Sequence, residues 1–354
     1  MIVEIINVGT ELLLGEIVNT NATMIQKMCK ELGFDVFYQS VVGDNENRFL
    51  NVLDTAFKRG ANCIITTGGL GPTDDDVTKE LSAKYLQLEI ELNEIEAKKV
   101  FDKCAFVMQS NNVPKNNIKQ AYFPRNAFII ENDVGTANGC IMSNGNQMII
   151  NLPGPPKELA YCLEKSVLPY LKQYQQAILY TQDIVTLGIG ESSMALKLKD
   201  IIDHQDDVSI ALYASETNVR VRLATKAISQ SEANFKMKNI YDIIVSRIGD
   251  FIVEDLSPLD QLKKIMPKYH IEYLSDFKLP NDNFIECHVP LNQAQMIILI
   301  NTSKHQYGEI IEVTISKDNI KKEYRVPLLK AAKYSLPKLQ AKLVAIISQF
   351  LESV

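Results

Sequence analysis

CIITTGGLGPTDDDVTKE, residues Cys63 to Glu80, carries the densest signal in the chain. It divides into a short apolar strand, Cys63–Thr67, a turn containing Gly68, Gly69 and Gly71, and three successive aspartates, Asp74, Asp75 and Asp76. A helical run begins near Val77 and Thr78. Glycines reach φ > 0 and let backbone amides converge on an anion, and the N-terminus of the following helix adds partial positive charge. Three adjacent aspartates would repel a phosphate unless a cation lay between them. A tight turn with a helix cap explains the glycines and one aspartate, but explains three poorly, because neighbouring carboxylates raise one another's pKa. The stretch therefore predicts a metal and a phosphorylated ligand meeting at the carboxyl end of a strand.

Working outward, Val3–Val8 reads as a strand, residues 21–32 as a helix capped by Asn19 or Thr20, and Phe34–Val42 as a strand. Glu46–Arg59 reads as the next helix before the strand Cys63–Thr67. Strands alternating with helices predict an α/β fold, a mostly parallel sheet covered on both faces, with ligands outside the carboxyl ends of the strands. Gly9, Thr10 and Glu11, then Asp44, then Gly68–Asp76 all follow strands and should share that edge. Asp44 and Asp74–Asp76 together offer oxygen ligands suited to Mg²⁺ or Mn²⁺. Glu11 fits a metal ligand or a group that orients water. Asn19 and Asn21 fit either a helix cap or hydrogen bonding to a ribose or base.

Further along, Val77–Leu86 and Glu91–Cys104 read as helices and the Asn-rich Ser110–Lys119 as a surface loop. Phe128–Ile130 and Met148–Asn151 read as strands, with a second glycine-containing loop, DVGTANG, at Asp133–Gly139. LPGPPKEL, Leu152–Leu159, opens a helix that runs to about Tyr174, with Pro155 and Pro156 suited to its first turn and Glu158 to its dipole. These bounds divide the chain into a first domain over 1–174, a small α+β domain over 175–254, and a weaker-signalled region over 255–354. In the last, Leu259–Met266 and Lys330–Leu351 read as helices and Phe284–Val289, Gln295–Ile300 and Ile310–Ser316 as strands. Its Lys321, Lys322 and Arg325 read as part of a solvated helix face.

At 354 residues, 46% hydrophobic and 23% charged, the composition is that of a globular chain of two or three domains. The formal charge of −6 argues against nucleic acid as the main partner. No run approaches the ~20 apolar residues of a membrane span, and the N-terminus lacks the features of a signal peptide, so a cytoplasmic location is expected. Six scattered cysteines without a CxxC pair predict buried thiols and no zinc site. All four histidines lie beyond residue 200, so chemistry in the first half must use carboxylates, lysine, hydroxyls, amides or a bound ion.

GTELLLGEIVNTNA, VVGDN, TTGGLGPTDDDVTKE, VGTANG and LPGPPKEL, followed by LGIGESSMALKL and VSIALYASETNVRVRL, together resemble the CinA family (competence/damage-inducible protein A) over residues 1 to about 254. The resemblance implies a three-layer, molybdopterin-binding-like first domain, a KH-type second domain, and hydrolysis of ADP-ribose to AMP and ribose 5-phosphate with a divalent metal (Mg, Mn or Co). Where molybdopterin-binding proteins carry arginine before the Asp-Val-Thr, this chain has Asp75, which favours a metal over an anionic pterin. On that reading Asp76, Asp75 and Asp44 hold the metal, and Glu11 orients water. The substrate would be positioned by Gly9, Thr10, Asn19, Asn21, Gly68, Gly69, Gly71, Thr73, Thr78, Gly135, Thr136, Asn138, Gly139, Pro153, Gly154 and Glu158. The second domain lacks the GXXG loop of a nucleic-acid-binding KH fold. The family's C-terminal amidase motif is also missing, so 255–354 reads as a shortened, degenerate amidase-like domain with a packing or oligomerisation role, and a homodimer is expected. Two alternatives stand beside the hydrolase: a nucleotide or pterin binder without turnover, and a nicotinamide mononucleotide deamidase.

Overall fold

The structure, a computed structural model, describes residues 1–186, 189–215, 218–253, 269–274 and 289–329, with helical positions 342, 343, 346, 347 and 350. The chain separates into two compact units, Met1–Leu179 and Tyr180–Val354.

In the first unit, β1 (Ile2–Val8) leads through the short α1 (Thr10–Leu13) to α2 (Thr20–Glu31). Next come β2 (Asp35–Val42), α3 (Glu46–Lys58), β3 (Cys63–Thr67) and α4 (Thr78–Tyr85). The segment expected as one helix from Glu91 instead starts as a short strand, β4 (Ile90–Leu92), before α5 (Glu94–Met108). Asn93 separates the two by accepting from the N–H groups of Ile95 and Glu96, which starts the helix there. The polar loop ends in a 3₁₀ turn, Lys115–Ala121, that leads into β5 (Tyr122–Pro124) and β6 (Phe128–Ile130). β7 (Gly139–Asn144), β8 (Gln147–Leu152), α6 (Pro156–Cys162) and α7 (Leu168–Leu171) complete the unit, the two helices being joined by a π turn.

Six strands form one sheet in the order β2-β1-β3-β8-β7-β6. The first four run parallel, and β7 and β6 add antiparallel to the edge. Alternation of side chains gives the sheet two cores. Val3, Ile5, Cys63, Ile65 and Ile150 pack with Ile25, Met28, Leu159 and Leu171 on one face. Ile6, Val8, Ile64 and Ile149 pack with Phe49, Leu53, Leu81 and Leu86 on the other. Strands buried on both faces need continuous apolar runs, and CIITT is buried at all five positions. Val8 lies opposite Val42, Asn7 opposite Thr67, and Thr67 opposite Leu152, so the four parallel strands finish level. The chain leaves β1 for β2 on one side and returns to β3 on the other. That reversal makes the carboxyl edge between β1 and β3 a topological switch point.

In the second unit, β9 (Ile178–Thr186) begins earlier than its apolar half suggested. α8 (Glu191–Lys197), α9 (Lys199–Asp203), β10 (Val208–Ala214), β11 (Val219–Ala227), α10 (Gln230–Ile248) and β12 (Ile252–Val253) follow it. Their sheet runs β10-β11-β9-β12. A separate sheet joins β13 (Tyr269–Tyr273), β14 (Met296–His305), β15 (Gly308–Lys317) and β16 (Ile320–Leu329) in that order, the first pair parallel and the others antiparallel. Lys321, Lys322 and Arg325 therefore lie on a strand, not on a helix. Lys321, Glu323 and Arg325 alternate with the partly buried Tyr324 and the buried Val326, the period of a strand with one face packed, and the exposed Lys322 stands at the start of the packed face. Leu343, Ile347 and Phe350 are buried with this sheet's Ile298, Val313 and Val326. Gly188, the expected helix Leu259–Met266, most of the expected strand Phe284–Val289 and most of the expected helix Lys330–Leu351 lie outside the described residues.

Candidate active site at the carboxyl edge of the parallel sheet

A buried polar layer fixes the strand ends. Asn7 donates to the Thr67 hydroxyl at 2.9 Å and itself accepts from the Asn19 amide at 3.0 Å. Asn151, fully buried, donates to the Thr66 and Ser82 hydroxyls at 2.7 and 2.9 Å, and Ser82 donates to the Thr78 carbonyl at 2.7 Å. In a low-dielectric core such bonds are made together or at a cost, so β3, β8 and α4 are held in one register beneath the turn. Gly68 (φ 96°) and Gly69 (φ 67°) take backbone conformations that favour glycine. A Cβ on Gly68 would run into the Val8 carbonyl, and one on Gly69 into the Thr78 hydroxyl.

Above this layer a cavity of about 400 Å³ opens, a size suited to a small ligand. Gly9, Glu11, Asp44, Gly68, Gly69, Gly71, Asp75, Asp76, Thr136, Pro153, Gly154 and Glu158 all line it. Asn19, Asn21, Thr10, Thr73, Thr78, Gly135, Asn138 and Gly139 are not among its lining residues. Asn19 caps α2 through the N–H of Ala22, and Asn21 holds the Gly154 carbonyl at 2.7 Å. Thr78 is buried beneath Gly69. Asn138 is buried, accepting from the Asn132 N–H at 2.9 Å and donating to Glu96 at 2.5 Å. Gly139 lies inside β7 against the Asn151 carbonyl, where a side chain would not fit.

The amides of the turn divide unequally. Gly68 N–H is committed to the Leu152 carbonyl at 3.0 Å, so it is not free for a phosphate as the sequence suggested. Among the described residues no hydrogen bond engages the N–H groups of Gly69, Leu70 or Gly71. These are the amides that can face an anion. Thr73 organises the aspartates: its hydroxyl sits against both Asp75 Oδ1 and Asp76 Oδ2, and its N–H donates to Asp76 Oδ2 at 3.1 Å. The Thr73 hydroxyl, the Asp75 backbone N–H and the nearby Lys119 cation hold the Asp75 carboxyl below the usual carboxylate range. Asp44 is bound from the other side, accepting from the N–H and hydroxyl of Thr10 at 3.0 and 2.9 Å.

Three further residues escaped the sequence. Asn132, fully buried, accepts from the N–H groups of Val134 and Gly135 and donates to Glu158 at 2.6 Å, shaping the second loop. Lys79 is buried, with Nζ on the Gln120 carbonyl at 2.9 Å and 4.0 Å from the Phe123 ring centroid, and burial lowers its pKa. Gln120 is 2% exposed and lines the cavity. Nothing local in the sequence marks these three, because burial gives each its role.

Five carboxylates, those of Glu11, Asp44, Asp75, Asp76 and Glu158, line the cavity and have the donor chemistry of a hard divalent cation. They do not form a protein-only cage: among the described residues no three His, Cys, Asp or Glu groups close on a common point. The expected ligand triad of Asp44, Asp75 and Asp76 is thus not assembled as one cluster. Asp75 and Asp76 do converge, on one hydroxyl that has a single proton to give. That crowding of like charge fits a cation such as Mg²⁺, which is commonly held by one or two carboxylates and completed by substrate phosphates.

Fold and site together define an α/β domain with free turn amides and carboxylates in the wall of one cavity at the carboxyl edge of its parallel sheet. A family profile described as "Probable molybdopterin binding domain" matches residues 4–173, and one described as "Damage-inducible protein CinA KH domain" matches residues 181–253. A CinA-like protein of Dictyoglomus thermophilum is 36% identical, over 90% of this chain and 77% of its own length. A competence-damage inducible protein of Clostridium beijerinckii is 44% identical over 72% of this chain and 62% of its own length. The chain belongs to the CinA family. It spans 62% and 59% of the lengths of the clostridial relatives from C. beijerinckii and Clostridioides difficile. Among solved structures, that of the protein CinA from Thermoplasma acidophilum is 30% identical, covering 49% of this chain and 98% of its own, with a TM-score of 0.42. No helix among the described residues is long and apolar enough to cross a membrane.

Proposed function

We propose that the first unit hydrolyses the pyrophosphate of ADP-ribose, giving AMP and ribose 5-phosphate, with a divalent cation held at Asp75 and Asp76. One observation carries the reading: the uncommitted N–H groups of Gly69, Leu70 and Gly71 and the carboxylates of Glu11, Asp44, Asp75 and Asp76 belong to one cavity wall. Amides attract an anion and carboxylates attract a cation, so a metal–pyrophosphate pair satisfies both. When bound, the cation neutralises charge on the phosphoryl oxygens and lowers the pKa of water.

The protein's own groups supply the rest. The three amides hold phosphoryl oxygens in place, and their fixed orientation stabilises charge that grows as the phosphorus is attacked. Water adds to one phosphorus, the bridging P–O bond breaks, and the bridging oxygen leaves on the other phosphate. Glu11 orients the water: its carboxylate folds back over Gly9, where a Cβ would lie 2.5 Å from Oε1. Thr10 fixes Asp44, which lines the same cavity. The first unit contains no histidine, so its proton transfers fall to carboxylates and water.

The test is to incubate the purified chain with ADP-ribose and Mg²⁺, Mn²⁺ or Co²⁺ and to separate the products. AMP and ribose 5-phosphate in equal amounts are expected. Asp76→Asn, which keeps an acceptor for the Thr73 N–H, should lower turnover at least about 100-fold without changing the melting temperature. Wild-type protein that binds ADP-ribose but releases no AMP with any metal would favour binding without turnover. Ammonia released from nicotinamide mononucleotide would instead favour the deamidase.

A further inference from the structure

Gln120 presents a chemical demand that the protein does not meet. It is 2% exposed, it lines the cavity, and its Oε1 is buried without a hydrogen-bond partner. A buried acceptor left unpaired is costly, and native proteins keep few of them. Its position is tightly determined. Asn116 Nδ2 donates to the Pro72 carbonyl at 3.2 Å and Lys119 Nζ to the Thr73 carbonyl at 2.6 Å, pinning the 3₁₀ turn to the glycine–aspartate turn. Lys79 Nζ, buried under the same segment, holds the Gln120 carbonyl. The backbone of Gln120 is therefore fixed beside the groups that face phosphate, while among the described residues no hydrogen bond holds its carboxamide.

An acceptor oxygen cannot bond to a phosphate oxygen, which has no proton at neutral pH. The missing partner must be a donor carried by the ligand close to its phosphates. In ADP-ribose the pyrophosphate lies between two riboses, and the donors next to it are ribose hydroxyls. Resting on the functional reading above, we propose that Gln120 is a specificity residue whose carboxamide oxygen accepts a hydrogen bond from a ribose hydroxyl of the substrate. The site then selects sugar phosphates over bare polyphosphates. A protein built to bond a hydroxyl discriminates against ligands lacking one, because its own polar group is otherwise stranded.

The test uses the full chain with Mg²⁺ and two probes, ribose 5-phosphate and inorganic pyrophosphate, titrated by calorimetry. Gln120→Leu removes the acceptor, and Gln120→Met, unbranched and of similar length, provides a second apolar replacement should the first not fold. Both variants should bind ribose 5-phosphate about tenfold more weakly, the worth of one hydrogen bond. Pyrophosphate binding should stay within about twofold. The ligand-free melting temperature should hold or rise, since an unpaired acceptor has gone. Unchanged ribose 5-phosphate affinity overturns the proposal, as does an equal loss for both probes with a lowered melting temperature, the mark of a structural role. Wild-type binding of pyrophosphate but not of ribose 5-phosphate overturns the assignment of Gln120 and leaves the phosphate site standing. Binding of neither probe overturns the functional reading and this assignment with it.

Discussion

Gly68→Ala should disrupt the site through one contact, and a matched control isolates it. Gly68 has φ 96°, and an added Cβ would collide with the Val8 carbonyl, a backbone atom of the central strand. Gly60 has nearly the same φ, 94°, but nothing lies within 4 Å of its would-be Cβ. Alanine at either position should lose about 1–3 kcal/mol for the unfavourable backbone conformation. At Gly68 the forced shift of packed backbone adds about 1–3 kcal/mol more. Because the chain holds more than one unit, global unfolding is a poor gauge. Native-state hydrogen exchange of the β1 and β3 amides reads the first unit alone. The Gly68→Ala chain should open there roughly 5- to 150-fold more often than the Gly60→Ala chain, the added energy expressed at 1.4 kcal/mol per decade. Hydrolysis of ADP-ribose should fall in Gly68→Ala and persist in Gly60→Ala. Equal exchange in the two variants would refute the argument that Val8 sets the identity of residue 68.

Two titrations follow from the charged groups. Asp75 is held below its ordinary pKa chiefly by the Thr73 hydroxyl. A depressed carboxyl contributes stability above its unfolded pKa, ~3.9, and loses that contribution as pH falls through the folded value. Thr73→Val should move the Asp75 midpoint upward in a ¹³C-carboxyl NMR titration, and an unmoved midpoint would exclude the hydroxyl as the main cause. Glu4 behaves oppositely: burial raises its pKa more than Arg59, 3.1 Å away, lowers it. Its contribution is complete below its unfolded pKa, ~4.3, and is lost as pH rises through the folded value. Glu4→Gln should flatten the pH dependence of melting over that window, whereas an unchanged slope would show that another group sets it.

The parallel core was legible because its strands are buried on both faces and must be apolar throughout, as in Cys63–Thr67. Asn19 marks a helix start through a cap that the structure forms, and Asn45 caps the next helix in the same way. Asn138, Gly139 and Thr78, expected to position the substrate, are buried and do not line the cavity, and only side-chain direction separates the two roles. Lys79 lies in the expected helix Val77–Leu86 and Gln120 directly follows the expected surface loop Ser110–Lys119, and nothing local marks either as buried. They are buried because the segment Lys115–Ala121 folds down onto the turn, a contact between residues more than 40 apart in the chain. β16 was missed because its lysines and glutamate suggested a charged helix face, whereas the alternation around Tyr324 and Val326 is that of a strand.

The central claim is that one cavity joins metal to pyrophosphate at the glycine–aspartate turn. Crystals grown with Mn²⁺ and an α,β-methylene analogue of ADP-ribose, examined by anomalous scattering, test it most directly. The account predicts a metal peak about 2.0–2.3 Å from carboxylate oxygens of Asp75 and Asp76, shared with analogue oxygens, and phosphoryl groups on the amides of Gly69–Gly71. A metal away from both aspartates, or an analogue bound elsewhere on the chain, would contradict it.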